Sequence, residues 1–181
     1  MEFSNNKFII NIKQDKPQKY IQELNNIIFN ENVVFLPFTH NNELSANEDV
    51  LCVQDMKRTY NGKTYITYGY KLINNHIQLV NSNSCDGYLL VSKRVIRSIP
   101  ELQRIKSDEI NKIAKSRIDK IIPQINAFIN NSIYVVDITV NGDMSWNCCV
   151  FTDTLNGVKD YLKENTPIID NDLDELIDQI K

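Results

Sequence analysis

A chain of 181 residues, 42% apolar and 24% charged, is long enough to bury a core without disulfides or a metal, and its composition excludes disorder as the dominant state. The formal net charge is −3, and no apolar run approaches the ~20 residues that cross a bilayer. Four cysteines (Cys52, Cys85, Cys148, Cys149) in a chain this long do not make a disulfide scaffold, and the opening Met-Glu-Phe-Ser-Asn-Asn-Lys lacks the regions of a signal peptide, so residence in the cytoplasm is expected. Isoleucine (25) and asparagine (24) are abundant. Both have A/T-rich codons, so the expected cause is genome composition: an A/T-rich bacterium, one of its phages, or an A/T-rich eukaryote or large virus.

Phe8-Ile9-Ile10-Asn11-Ile12 predicts a first strand. Pro17 opens a helix to about Phe29, with Tyr20, Leu24, Ile27 and Ile28 at helical spacing. Val33-Val34-Phe35-Leu36 is a short buried strand stopped by Pro37, and residues 39–49 read as a polar loop. Residues 50–60, Asn61-Gly62 and residues 63–73 predict a long hairpin. A three-residue loop ending on Gly62 pairs Met56 with Ile66, Cys52 with Tyr70 and Val50 with Leu72. The other face then carries Asp55, Lys57, Lys63, Tyr65, Thr67 and Lys71. Residues 76–80, after the Asn74-Asn75 turn, and residues 88–91 continue the meander.

A short helix is expected after Pro100, then a long one from an N-cap at Ser107 to about Asn130. Its apolar stripe is Ile110, Ala114, Ile118, Ile121, Ile125 and Phe128, and Pro123 should bend or divide it. A second hairpin covers residues 133–140 and 144–151. An odd-length loop there sets Tyr134, Val136, Ile138 and Val140 opposite Cys148, Trp146 and Met144. Thr152 or Asp153 caps a helix through Asn165, with Gly157 weakening its first turn. Residues 170–181 place Leu173, Leu176, Ile177 and Ile180 on one stripe, a short amphipathic helix suited to docking. The expected fold is a single α+β domain on an antiparallel or mixed β-sheet. Two long hairpins build the sheet, and helices pack mainly on one side.

Charge falls into three zones. Residues 1–90 hold 8 basic and 9 acidic side chains, residues 91–132 hold 9 and 4, and residues 133–181 hold 3 and 10. The basic zone (Lys93, Arg94, Arg97, Arg104, Lys106, Lys112, Lys115, Arg117, Lys120) could bind nucleic acid, although its lysines spread across the polar face of the long helix. The acidic zone (Asp153, Asp160, Glu164, Asp170, Asp172, Asp174, Glu175, Asp178) suits a solubilising surface, a face for a basic partner, or an internal partner for the basic zone.

Little points to catalysis. His40 and His76 are the only neutral-pH bases, and no local motif joins either to a cysteine. Cys148-Cys149 lacks metal-ligand spacing, and five separated glycines form no phosphate loop. Asp137 is the most interesting carboxylate, with Ser145, Asn147 and Cys149 opposite it, so a hydrogen bond to Asn147 or Ser145 is expected. No metal or cofactor is expected. The leading reading is a non-enzymatic protein-binding module, an inhibitor or accessory protein of a phage or mobile element that acts by occluding its partner. A basic nucleic-acid-binding protein fits as that partner. Its contacts would be Lys57, Arg58, Tyr60, Lys63 and Tyr65 of the first hairpin and Asp170, Asp172, Asp174, Glu175 and Asp178 of the last helix. The alternative is a nucleic-acid-binding or regulatory protein using the basic segment 93–120. A third is an enzyme built around His40, Asp137 or a cysteine.

Overall fold

The computed structural model describes residues 1–37, 64–81 and 85–181. In chain order these form β1 (Glu2–Ser4), β2 (Phe8–Asp15), a 3-10 turn (Pro17–Tyr20), α1 (Ile21–Asn30), β3 (Val33–Pro37), β4 (Tyr65–Ile73), β5 (His76–Val80) and β6 (Gly87–Ser92). Then follow α2 (Lys93–Arg97), a second 3-10 turn (Pro100–Leu102), α3 (Ser107–Ile129), β7 (Ile133–Val140), β8 (Asp143–Phe151), α4 (Leu155–Asn165) and α5 (Asn171–Asp178). The fold is α+β, with the strands of the described residues in two four-stranded antiparallel sheets. No helix among the described residues is long and apolar enough to cross a membrane. The chain divides into two compact units, Met1–Glu23 with Pro123–Lys181 (unit 1) and Leu24–Ile122 (unit 2).

Unit 1 holds the sheet β1-β2-β7-β8. Strand alternation puts Phe8, Ile10, Ile12, Val136, Ile138 and Val150 on one buried face. That face is covered by Val158 and Leu162 of α4 and by Leu173, Leu176, Ile177 and Ile180 at the C-terminal end. The i, i+3, i+4, i+7 stripe of the last helix is thus buried in the core of its own unit, at about 1.5–3 kcal/mol per fully buried side chain.

The β7–β8 hairpin differs from expectation in its turn and in the pair next to it: Val140 does not face Met144, while the pairs beyond the bulge are as expected. Val140 faces Asp143 across a two-residue loop, with Asn141 and Gly142 at φ 50° and 92°, the signs of a type I′ turn. The odd residue comes instead from a bulge between Ile138 and Thr139. Ile138 therefore still faces Trp146 and Val136 still faces Cys148, while Met144 pairs with Thr139 and is 68% exposed.

Helix ends show similar adjustments. Thr154, not Thr152 or Asp153, caps α4, its Oγ1 accepting the Gly157 N–H at 3.0 Å. A Cβ on Gly157 would lie 2.0 Å from Thr152 Oγ1, so glycine here lets the preceding turn lie against the helix. The cap of α3 is Lys106, one residue before the expected Ser107. Its carbonyl accepts from Ile110, and its N–H donates to Glu109 Oε2 at 3.2 Å, half of a capping box. Pro123 does not divide α3, which runs unbroken through it with the proline on its exposed side.

Unit 2 holds the sheet β3-β6-β4-β5, with Leu89, Leu90 and Val91 of β6 fully buried. β4 pairs with β6 and β5. Its expected partner, residues 50–60, lies outside the described residues together with Asn61-Gly62. Asn74 and Asn75 (φ 51° and 59°) turn β4 into β5. Asn32, Asn74, Asn75, Asn131 and Asn141 are the non-glycine residues with positive φ among the described residues, so part of the asparagine content does turn work that composition alone does not account for. At Asn131 the Ser132 N–H reaches Ala127 O and the Asn131 N–H reaches Phe128 O, a Schellman motif closing α3.

Candidate functional site

The acidic end of the chain separates into carboxylates that hold structure and carboxylates that face out. Asp170 caps α5 by accepting the Asp172 N–H at 3.0 Å, and its other oxygen pairs with Lys7. Asn5 reinforces this corner. Its Oδ1 accepts the N–H groups of Lys7 and Phe8, and its Nδ2 donates to the Asp172 carbonyl at 3.1 Å. Asp178 lies 2.6 Å from Lys163 Nζ and 3.1 Å from Lys159 Nζ. Lys7 beside Asp170, and Lys163 then Lys159 beside Asp178, hold both carboxyls below the usual carboxylate range. Asp178 in turn raises Lys163. Asp172, Asp174 and Glu175 are exposed and have no ion pair among the described residues.

The basic segment is less tied down. Arg94, Arg97, Arg104, Lys106 and Lys112 are exposed and have no ion pair among the described residues, and Lys93 is half-buried. Further along α3, Lys115 pairs with Asp119, Lys120 lies 3.3 Å from Glu31, and Arg117 donates to the Glu31 carbonyl at 3.4 Å. Of the hairpin contacts, Tyr65 is half-buried opposite Ser92 in the β4–β6 ladder. Lys57, Arg58, Tyr60 and Lys63 lie outside the described residues, as do His40 and Cys52.

The chemistry available at the remaining positions is modest. Burial pushes the Cys148 thiol up to about 12, with Cys149 adding to it. Burial, then Glu23 and Asp15, does the same to Cys149. Neither forms a thiolate at neutral pH, so neither is a ready nucleophile. Asp137 is half-buried and accepts from Asn147 Nδ2 at 3.4 Å, across the register that the strand pattern implied. The exposed His76 ring contacts the Asn74 carbonyl at 2.9 Å. No group of three or more His, Cys, Asp or Glu among the described residues could hold a metal.

Two arrangements carry no sequence signal. Asp15 accepts from Lys16 N–H, Tyr20 Oη and Lys19 Nζ, which lowers it from the ordinary 3.8 to about 2. Burial, then Asp15, raises Tyr20 to about 12. In unit 2 the Tyr70 ring stacks on Phe35 at 5.3 Å, and its hydroxyl is buried with no hydrogen-bond partner among the described residues. A Cβ on Gly87 would lie 2.5 Å from that hydroxyl, so the ring's approach requires glycine. No protein-family model matches the chain, and no curated protein or solved structure is significantly similar to it.

Proposed function

We propose that the chain is a non-enzymatic protein-binding module that occludes a basic surface of its partner through Asp172, Asp174 and Glu175. The supporting observation is fixed presentation. Four buried apolar side chains and the Lys7–Asp170 and Lys159/Lys163–Asp178 pairs lock the last helix, so its outward carboxylates lose little freedom on binding. Charge held this way speeds association and makes it salt-sensitive. The test is capture from lysate of the source organism with nuclease present, at two salt concentrations. Wild type is compared with Asp172→Asn/Asp174→Asn/Glu175→Gln. The expected result is a stoichiometric basic protein that is lost from the triple variant and reduced at high salt. Equal retention by both chains would overturn this reading.

A second reading rests on Arg94, Arg97, Arg104, Lys106 and Lys112, which are exposed and have no ion pair among the described residues. Recovery of nucleic acid in a nuclease-free capture, with affinity falling steeply with salt, would favour it.

A further inference from the structure

The two edges of the unit 1 sheet are built differently. One is closed by β1, three residues long, and such short strands blunt an edge. The other is β8, nine residues long. From Met144 to Thr152 it has no charged residue and no proline, while Asp143 and Asp153 stand at either end.

The ladder phase shows which groups that edge exposes. Ile12 N–H donates to Met1 O at 2.7 Å and Asn141 N–H donates to Lys7 O at 2.9 Å. In an antiparallel ladder the bonding direction alternates, so odd-numbered residues of β7 bond to β2 and even-numbered ones to β8. Trp146, Cys148 and Val150, which face the even residues, therefore bond inward. Asn147, Cys149 and Phe151 turn their N–H and C=O groups outward, where the described residues supply no backbone partner.

We propose that β8 pairs antiparallel with β8 of a second copy of this chain, centred on Cys149, to make one continuous eight-stranded sheet. The outward set of Asn147, Cys149 and Phe151 is symmetric about Cys149. In that register each outward residue meets another, with Asn147 opposite Phe151 of the partner subunit. A register centred on Cys148 instead sets Asp143 against Asp153 of the partner subunit at both ends, and like charges directly opposite are unfavourable. Charge thus disfavours that register, and a neutral strand between two aspartates is compatible with its own copy. This contact uses none of the outward carboxylates of α5.

The test is molar mass by light scattering over a concentration series, with amide hydrogen exchange on the same samples. The full chain is expected at about twice 21.0 kDa. Asn147→Lys, which puts a charge on the edge, and Cys149→Pro, which removes one outward N–H, are expected at 21.0 kDa with unchanged far-UV circular dichroism. The amides of Asn147, Cys149 and Phe151 should exchange about tenfold or more slowly in the wild type than in Asn147→Lys, with those of Trp146, Cys148 and Val150 protected in both. A monomeric mass at every concentration would overturn the proposal, as would a dimer that leaves those three amides unprotected. If either variant fails to fold, the wild-type exchange pattern decides alone.

Discussion

In unit 1, four buried side chains of the last helical segment and two lysine-held carboxylates fix the acidic end of the chain in place. In unit 2, the basic residues from Arg94 to Lys112 stand exposed without an ion pair among the described residues, whereas Lys115 and Lys120 further along meet carboxylates. The comparison teaches that formal charge in a segment is not the charge it presents. Of the five acidic residues from Asp170 to Asp178, two serve the fold and three face out. The two units share their turn chemistry, each closing a helix and a hairpin with asparagine in the left-handed region.

The largest way to break this comparison is to remove the anchor of the acidic end. Leu176→Ala should cost about 2–5 kcal/mol in urea unfolding, because it opens a cavity beneath α5. Ile169→Ala, at a side chain 99% exposed, should change stability by less than about 0.5 kcal/mol. Equal losses would mean that α5 is not part of the core.

A smaller effect sharpens the shared feature. Asn131→Ala in unit 1 and Asn32→Ala in unit 2 should each cost about 1 kcal/mol, and the corresponding glycine variants should cost nothing or stabilise. Thermal melts of the four variants check this.

The smallest effect is electrostatic. Asp178 is lowered in the folded state, so its stabilisation is complete above the ordinary aspartate value near 3.8 and is lost as pH falls through the folded value. The stability gap between wild type and Asp178→Asn should therefore be constant from neutral pH down to about 5 and close at lower pH. Urea unfolding across that range measures it, and a gap that widens on acidification would reverse the assignment.

Much of the fold was legible because spacing encodes burial directly. The alternation in Phe8 to Ile12 and the stripe from Ile110 to Phe128 both became buried faces. What escaped was short or compensated. β1 is three residues held by backbone bonds, and α2 is five residues started by the Ser92 cap between a strand and a turn. The β7–β8 pairs from Ile138–Trp146 onward were readable, but a bulge with a tight turn gives the same pairs there as an odd loop and differs only at Val140 and Met144, so sequence could not separate them. At the candidate site, Asp137 with Asn147 followed from register. The Lys7–Asp170 pair did not, because its partners are 163 positions apart and no local pattern marks them.

The order of strands in unit 1 has a consequence during synthesis. β2 pairs with β7 through the whole of its length, yet unit 2 lies between them in the chain. At ribosomal rates of about 5–20 residues per second, Phe8, Ile10 and Ile12 emerge roughly 6 to 25 seconds before Val136 and Ile138. Throughout that interval an apolar strand whose β7-facing edge has no partner is held in the nascent chain. Unit 2, contiguous in sequence, can form in the meantime, so the early segment of unit 1, Met1–Glu23, is the part that a chaperone would have to shelter.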